Sequence, residues 1–328
     1  MKLASMPILC VLFAVFAARA CEANLVKQPT EITVASFNTS HCRGRDKVTD
    51  YGRVASAIQK ISPDFIGLQE IDVGVNRSSG VDQAEKLAKL TGLHATFARA
   101  IDCQGGEYGN AVLSREAPMS VRRIPLPGPE PRVLILCEFT NCWFGTTHLD
   151  SGIVDGDNVP SNVRSASIIS NSVVECAKSK PVFLTGDWNA KPSYPAVTAM
   201  TNFMTIVSDT RLPTNSRRNR CIDFIMVDNA HAKDFSVRSA TTLPDSAVLG
   251  HAPVVVSIET VTASGCGKVF VADRRSRRSF RTGKCWWMAR DAAYSPMVPS
   301  GRRRLTEAAS SLRGAPDAMD ANRGNVST

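Results

Sequence analysis

The stretch Pro181-Val182-Phe183-Leu184-Thr185-Gly186-Asp187-Trp188-Asn189 decides the fold class. A short apolar run opens it, and the carboxylate of Asp187 and the amide of Asn189 follow directly after Gly186. Short apolar runs bounded by glycine and polar residues are typical of buried strands. The segment therefore predicts a strand in the interior of the protein that ends at a group of polar side chains.

The same pattern recurs on both sides of this stretch and alternates with helical periodicity. We predict further strands over residues 32–37, 65–68, 133–139, 142–148, 221–227 and 252–258, and helices over residues 51–61, 82–90 and 162–177. Asp50 stands where a helix N-cap is expected, and Pro63 and Gly92 stand where two of the helices end. The alternation of strands and helices predicts an α/β fold.

Residues 1–20 have the organisation of a secretory signal peptide. Lys2 precedes an apolar run over residues 7–18, and Ala18-Arg19-Ala20 fits a small-x-small cleavage site. The run is shorter than the ~20 apolar residues that cross a bilayer, and no later stretch qualifies as a membrane span. We therefore expect a secreted, extracellular protein without a transmembrane segment, acting as a monomer. Lipid anchoring at Cys21 is the alternative, and Arg19 argues against it.

The cysteine content fits export. Eight of the ten cysteines lie beyond residue 21, and an even number in an exported chain favours disulfide bonds. Cys42 and Cys103 both fall in predicted loops, which makes them the first candidates for a bridge.

The formal net charge of +9 is concentrated at the C-terminus. Residues 262–328 contain thirteen Lys or Arg and five Asp or Glu, so residues 28–261 are close to neutral. The C-terminal segment has no sustained apolar period and cannot bury enough surface to offset its ordering entropy. We interpret residues 28–261 as the catalytic domain and residues 262–328 as a basic, disordered tail. The alternative for the tail is an arm that binds anionic surfaces or nucleic acid.

Polar side chains that can carry chemistry stand at the ends of the predicted strands. They are Asn38, Glu70, His148, Asp187, Asn189, Asp223 and His251. Ends of adjacent strands converge, so such residues can line one cleft. Carboxylate and amide oxygens suit Mg²⁺, and an imidazole held by a carboxylate can stabilise charge on phosphoryl oxygens. Taken singly, most of these residues also fit a turn, a surface charge or a core histidine.

Asp223 is the hardest of these residues to explain without a partner. It lies between Ile222 and Phe224 in a predicted strand, where an unpaired charge is costly. We expect His251 to be its partner.

Seven segments together resemble one known family. They are Phe37-Asn38-Thr39, Leu68-Gln69-Glu70, Tyr108-Gly109-Asn110-Ala111-Val112-Leu113-Ser114-Arg115, Thr147-His148-Leu149-Asp150, Gly186-Asp187-Trp188-Asn189, Ile222-Asp223-Phe224-Ile225 and Gly250-His251-Ala252-Pro253-Val254. Their order over residues 30–260 resembles the endonuclease/exonuclease/phosphatase superfamily, which includes deoxyribonucleases, apurinic endonucleases, sphingomyelinases and inositol-polyphosphate phosphatases. The resemblance implies an α/β four-layer sandwich, in which two mixed β-sheets pack face to face with helices outside.

The resemblance also implies a metal-dependent phosphoric ester hydrolase. Glu70 matches the principal metal ligand, with Asn38 beside it. The implied metal is Mg²⁺, with Mn²⁺ as the alternative. Asp187 and Asn189 match the pair that positions the attacking water and the phosphate.

Further residues match parts of the family site that face the substrate. Asp223 and His251 match the carboxylate–imidazole pair whose imidazole faces the scissile phosphate, and His148 matches a second phosphate-facing histidine. Asn110 and Tyr108 match a segment that contacts the substrate.

One position departs from the family pattern. The family usually has an Asp before the last histidine, where this chain has Gly250. That Asp commonly supports a metal or the catalytic water, and Asp245 is the candidate substitute. Gly250 at this position is compatible with weakened activity, with altered metal dependence and with an impaired enzyme.

The substrate stays open among phosphate esters. Export, the cysteines and the basic tail favour a nuclease-like phosphodiesterase, whereas the near-neutral domain counts against it because gripping nucleic acid calls for Lys and Arg. A lipid or small-molecule phosphodiesterase or phosphatase tolerates neutrality, and residues 104–108 predict a flexible lip over a compact substrate. A hypothesis from another class is a catalytically impaired binding protein whose basic tail binds anionic surfaces.

Overall fold

The computed structural model describes residues 31–152, 159–216, 218–243 and 250–261. The strands in these ranges are β1 Glu31–Asn38, β2 Phe65–Val73, β3 His94–Cys103, β4 Gly106–Ser114, β5 Ser120–Leu126, β6 Arg132–Glu138, β7 Trp143–His148, β8 Val182–Asp187, β9 Met204–Ile206, β10 Asp223–Asp228, β11 Phe235–Thr242 and β12 Val254–Thr260. The α-helices are α1 Tyr51–Ile61, α2 Gln83–Thr91, α3 Ser161–Ala177 and α4 Pro195–Met200. The predicted signal peptide, the predicted tail and Asp245 lie outside the described residues.

The strands form two six-stranded mixed sheets. The first sheet has the order β11-β12-β1-β2-β4-β3, and the second has the order β5-β6-β7-β8-β10-β9. The pairs β1–β2 and β7–β8 are parallel, and the other neighbours are antiparallel.

The two sheets pack face to face around a central apolar layer. Val34 and Val254 of the first sheet and Ile135 and Phe183 of the second belong to this layer. The outer face of the first sheet is covered by α1 and α2, and the outer face of the second is covered by α3 and α4. The chain is therefore an α/β sandwich of two mixed sheets with helices outside, which confirms the expected fold class.

Local sequence explains where the helices begin and end. Asp50 caps α1 by accepting a hydrogen bond from the Arg53 N–H group, and Asp82 caps α2 by accepting one from Glu85. Gly92 ends α2 with a φ of 74°, a left-handed conformation that glycine adopts without strain. The predicted ends of these helices are therefore confirmed.

The prediction of a flexible lip over residues 104–108 is wrong. Gln104 and Gly105 form a two-residue turn with φ values of 45° and 85°, and Gly106 already pairs with Cys103 as β4 begins. A Cβ atom on Gly106 would lie 2.3 Å from the backbone of Gly74. The segment is a tight hairpin against β2.

The predicted Cys42–Cys103 disulfide is also wrong, because all six cysteines in the described part of the chain are free thiols. Cys42 is buried under β1, where burial raises the pKa of its thiol to about 12. Cys103 ends β3 at the rim of a cleft. Cys266 and Cys285 lie outside the described residues. No helix of the described ranges is long and apolar enough to cross a membrane.

Candidate active site

Three strands of the second sheet place titratable side chains next to one another at the same end of the sheet. His148 is the last residue of β7 and lies beside Asp187, the last residue of β8. Asp187 in turn lies beside Asp223, the first residue of the antiparallel strand β10. All three side chains are at least 95% buried. The register of the sheet thus brings together residues that are up to 75 positions apart in sequence.

The first sheet contributes Glu70 through an irregularity in β2. The register between β2 and β4 shifts between Leu68 and Ile71, and Glu70 has a φ of 59°. A bulge of this kind redirects a side chain without ending the strand. The buried Gln69 is fixed by a 2.7 Å hydrogen bond from its Nε2 to Thr146 Oγ1 in the other sheet. Glu70 therefore projects into the cleft from inside a strand, whereas the sequence placed it at a strand end.

Asn38, the last residue of β1, joins two carboxylates. Its Nδ2 donates to Glu70 Oε1 at 2.9 Å and to Asp187 Oδ2 at 3.0 Å, and its Oδ1 accepts from the Ser40 N–H group at 3.0 Å. The side chains of Glu70 and Asp187 therefore converge on one point, which we call the acidic centre.

Asp223 and His251 form the expected pair. His251 Nδ1 lies 3.0 Å from Asp223 Oδ2, and the Thr214 hydroxyl donates to the same oxygen. Burial opposes protonation of the imidazole, but the charges of Asp223 and Asp187 outweigh it and raise the pKa of His251 to about 10. His251 is therefore an imidazolium at neutral pH.

His148 has the opposite protonation state. Burial and the nearby charge of Arg132 lower its pKa. Arg132 Nη1 lies 3.4 Å from His148 Nδ1, and because a guanidinium only donates, this nitrogen is the acceptor. The other ring nitrogen, Nε2, therefore carries the proton. It lies 3.1 Å from Asn189 Nδ2, which donates to Leu149 O, so the two nitrogens do not hydrogen-bond to each other.

A cleft of about 540 Å³ is lined by Glu70, His148, Asp187, Asn189 and His251, whereas Asn38 and Asp223 lie behind its wall. The cleft also contains Arg77, Arg132 and Arg218, which the sequence analysis did not single out. Arg132 is 9% exposed and pairs through Nη1 with Glu130 at 3.0 Å, and among the described residues its buried Nε has no hydrogen-bond partner. Nothing in the sequence separates these arginines from surface charges. The inference from net charge is therefore corrected: the domain is close to neutral, but three of its arginines line the cleft.

Tyr108 and Asn110 have different positions relative to the cleft. Tyr108 lines it, with the Arg77 guanidinium 5.3 Å from the centre of its ring, and burial together with the charge of Glu70 raises the pKa of its hydroxyl. Asn110 is 2% exposed and does not line the cleft, and its Nδ2 donates to Val133 O across the sandwich. A substrate contact through Asn110 stays a prediction.

Asn215 is a further cleft residue that the sequence analysis missed. Its Nδ2 lies 2.9 Å from His251 Nε2, and Ser216 N–H donates to the carbonyl of Gly250. An amide nitrogen and a protonated imidazole both donate hydrogen bonds, so the two groups together can bind an anionic oxygen in the cleft. Asn215 thus supplies a polar group beside Gly250, where the family's carboxylate is missing.

The acidic centre fits a divalent cation. Burial and the charge of Asp223 raise the pKa of Asp187, which a bound cation would reverse. In the described part of the chain neither Glu70 nor Asp187 is paired with Lys or Arg. Ligand atoms of Asp187, Asp223 and His251 also lie within 4.8 Å of one another, but Asp223 and His251 hydrogen-bond to each other. Glu70 and Asp187, with Asn38 beside them, are therefore the residues that would hold Mg²⁺.

The sequence model of the Endonuclease/Exonuclease/phosphatase family matches residues 35–264. The chain belongs to this family. The matched range contains every residue of the cleft described above. Members of the endonuclease/exonuclease/phosphatase family hydrolyse phosphoric esters and typically use a divalent metal. No protein among the curated sequences matches the chain.

Solved structures share the fold of the family. An endonuclease/exonuclease/phosphatase from Beutenbergia cavernae is similar with a TM-score of 0.58 and 19% identity, covering 71% of this chain and 72% of that one. The human Nocturnin catalytic domain is similar with a TM-score of 0.53 and 16% identity, and the match covers 71% of this chain and 95% of that domain. ANGEL2, described as a 2′,3′-cyclic phosphatase, has a TM-score of 0.54 and 13% identity, and the match covers 70% of this chain and 95% of ANGEL2. At these identities the likeness shows the fold alone.

Proposed function

We propose that the chain is a secreted, Mg²⁺-dependent hydrolase of phosphate esters that acts as a nuclease-like phosphodiesterase. The observation that carries this proposal is the composition of one cleft. It combines the acidic centre of Glu70 and Asp187, the imidazolium of His251 and the buried cation of Arg132. Anionic oxygens and a cation are the groups that such a cleft would bind.

Each side chain has a chemical role in hydrolysis. Asp187, a buried carboxylate, orients a water for in-line attack on phosphorus and accepts its proton. The bond from phosphorus to the ester oxygen breaks in the same step, and the departing oxygen takes a proton from solvent. The N–H groups of His251 and Asn215 donate to the phosphoryl oxygens, and Arg132 neutralises their charge. Asp223 holds the His251 ring through Nδ1 and keeps it protonated. When bound at the acidic centre, Mg²⁺ supplies further positive charge for the phosphate.

The test is nicking of supercoiled plasmid by the full chain in Mg²⁺. EDTA and the isosteric change Glu70→Gln should each abolish nicking, whereas Glu85→Gln, on the exposed face of α2, should retain it. Nicking that survives Glu70→Gln at the wild-type rate would remove Glu70 from the site. A folded, Mg²⁺-binding protein that nicks no DNA would exclude the nuclease.

A lipid or small-molecule phosphodiesterase or phosphatase is the second candidate. It is favoured by the size of the cleft, since about 540 Å³ accommodates one phosphate and its immediate substituents. Turnover of bis(p-nitrophenyl) phosphate without plasmid nicking would favour this candidate. Turnover of p-nitrophenyl phosphate alone would indicate a monoesterase.

The alternative of a catalytically impaired binding protein makes the opposite prediction. Gly250 lacks the family's carboxylate, and an impaired protein would hydrolyse neither DNA nor small esters in Mg²⁺ or Mn²⁺. Secretion is proposed from residues 1–20, and cleavage after Ala20 is checked by sequencing the N-terminus of protein recovered from the medium.

A further inference from the structure

A second groove adjoins the active-site cleft. It has a volume of about 350 Å³ and shares His41, Glu70, Asn215 and His251 with the cleft. Its outer wall is the loop over residues 43–47, between β1 and α1. A molecule seated on the acidic centre can therefore extend directly into this groove.

The loop presents three cations to the groove. Arg43, Arg45 and Lys47 line it and are exposed, and none of them forms an ion pair with another described residue. The acidic residue of the loop, Asp46, pairs with Arg53 of α1 at 2.8 Å, so its charge is already compensated. The loop thus carries a local positive charge in a domain that is close to neutral.

The loop is held in a fixed conformation. Arg43 and Thr49 form a β-bridge, and the Gly44 N–H group donates to Val48 O at 2.9 Å. The Asp50 N–H group donates to the carbonyl of the buried Cys42, and Asp50 then caps α1. The backbone that carries the cations is therefore ordered before any ligand arrives, which reduces the ordering cost of binding.

The opposite wall does not offset this charge. Glu70 is the one carboxylate among the described residues that line the groove, and it belongs to the acidic centre. Gly250 contributes no side chain, and its carbonyl already accepts hydrogen bonds from Ser216. Cations without counter-charges beside a phosphate site suit a second anion.

We infer that this groove binds a second phosphate of the same substrate, next to the ester that is cleaved. The inference rests on the proposed function. The ligand is a phosphodiester with another phosphate close to it, which is the chemistry of a nucleic acid strand and of a phosphorylated small-molecule diester. Arg43, Arg45 and Lys47 are the residues that would select it over a diester with a single phosphate.

The test compares matched substrates that differ by one phosphate. The dinucleotide TpT is compared with pTpT and TpTp, and glycerophosphoinositol is compared with its 4-phosphate. For the full chain we expect kcat/KM to be on the order of ten-fold higher for the member of a pair that carries the second phosphate. A higher kcat/KM for the extra phosphate among the nucleotides only would identify the ligand as a nucleic acid strand. A higher kcat/KM among the inositols only would identify it as a phosphorylated small-molecule diester.

The loop variant combines Arg43→Gln, Arg45→Gln and Lys47→Asn. Asn is used because Lys47 has a φ of 64°, which Asn tolerates. The matched control combines Lys60→Gln, Lys86→Gln and Lys89→Gln, which removes the same charge from α1 and α2. The ratio of kcat/KM between paired substrates should fall to about one in the loop variant and stay at the wild-type value in the control. A loop variant that keeps the wild-type ratio would overturn the inference.

Binding separates this inference from the proposed function. Calorimetric titration of pTpT, TpTp and TpT into the full chain in EDTA needs no turnover. Tighter binding of a substrate with the extra phosphate that is lost in the loop variant would support the groove even in a protein that hydrolyses nothing. Hydrolysis with equal kcat/KM for both members of every pair would leave the proposed function intact but would refute a second phosphate site in the groove.

Discussion

The buried pair of Asp223 and His251 makes a prediction about stability as a function of pH. In the folded, metal-free protein the pKa of His251 is about 10, against an ordinary value of 6.5. A raised pKa means that this group stabilises the folded state fully below about pH 6.5 and loses that contribution as the pH rises through about 10. The difference corresponds to about 5 kcal/mol of free energy of unfolding.

Asp223→Asn removes the nearer of the two carboxylates that hold the imidazolium. Asn keeps the shape of Asp and an acceptor for the Thr214 hydroxyl, and Asp187 still lies 3.7 Å from His251 Nδ1. We therefore expect a loss of about 3 kcal/mol at pH 6, because one partner of a buried pair is removed. At pH 10 the imidazole is about half protonated in wild type and largely neutral in the variant. Most of the contribution of the ion pair has then been lost, and the difference in stability should shrink to about 1 kcal/mol.

Urea unfolding of both proteins in EDTA at pH 6, 8 and 10 measures this change. Asp228→Asn is a matched control, because Asp228 is a buried carboxylate that contacts a histidine at the other end of β10, away from the cleft. In Mg²⁺, Asp223→Asn should lower kcat on the order of a hundred-fold or more, whereas folded Asp228→Asn should retain turnover. A loss of stability in Asp223→Asn that is the same at pH 6 and pH 10 would refute the ionic description of the pair.

Three further predictions follow from the cleft and the thiols. Glu70→Gln should lose the stabilisation by Mg²⁺ that wild type shows in thermal unfolding, about 2.7 kcal/mol at one hundred times the Kd; equal shifts in both proteins would mean that Glu70 does not bind the metal. Arg132→Gln should lower kcat/KM for phosphodiesters on the order of ten-fold or more, mainly by raising KM, and Arg132→Lys should restore part of the loss. Unchanged kinetics in Arg132→Gln would place Arg132 outside the substrate site. A thiol reagent followed by peptide mapping should label Cys103 in the native protein and Cys42 only after unfolding, whereas a peptide containing both in disulfide linkage would contradict the structure.

Local sequence predicted the elements whose limits depend on local chemistry. Asp50 and Gly92 mark helix ends because a capping side chain and a left-handed glycine act within a few residues of themselves. Most strands of the interior were found from their apolar runs, but the buried strand β4 was not predicted as a strand, because Gly106, Gly109 and Asn110 interrupt its apolar pattern. The edge strands β5 and β11 were missed because most of their side chains are exposed, so no apolar pattern marks them.

The candidate site likewise has features that the sequence predicted and features that it did not. Most of the residues named by motif lie together, because strand ends meet at one edge of a sandwich, whereas Asn110 lies between the sheets and does not line the cleft. The irregularity that turns Glu70 into the cleft was not predictable, since nothing in Leu68-Gln69-Glu70-Ile71 separates a bulge from a strand end. Arg132 and Asn215 were missed because their place in the cleft depends on tertiary position. A net charge summed over residues 28–261 could not show that three arginines line the cleft.

The central pairing of the first sheet has a consequence for how the chain folds. β12 lies between β1 and β11, and Glu31 pairs with Glu259. The first strand of the described residues therefore stays without one of its two neighbours until the last strand has been synthesised. Contacts so distant in sequence form late and slowly, because a loop of more than two hundred residues must close first. Ribosome-bound chains stalled before Val254 should therefore be cleaved readily by protease, and chains released after Thr260 should resist it.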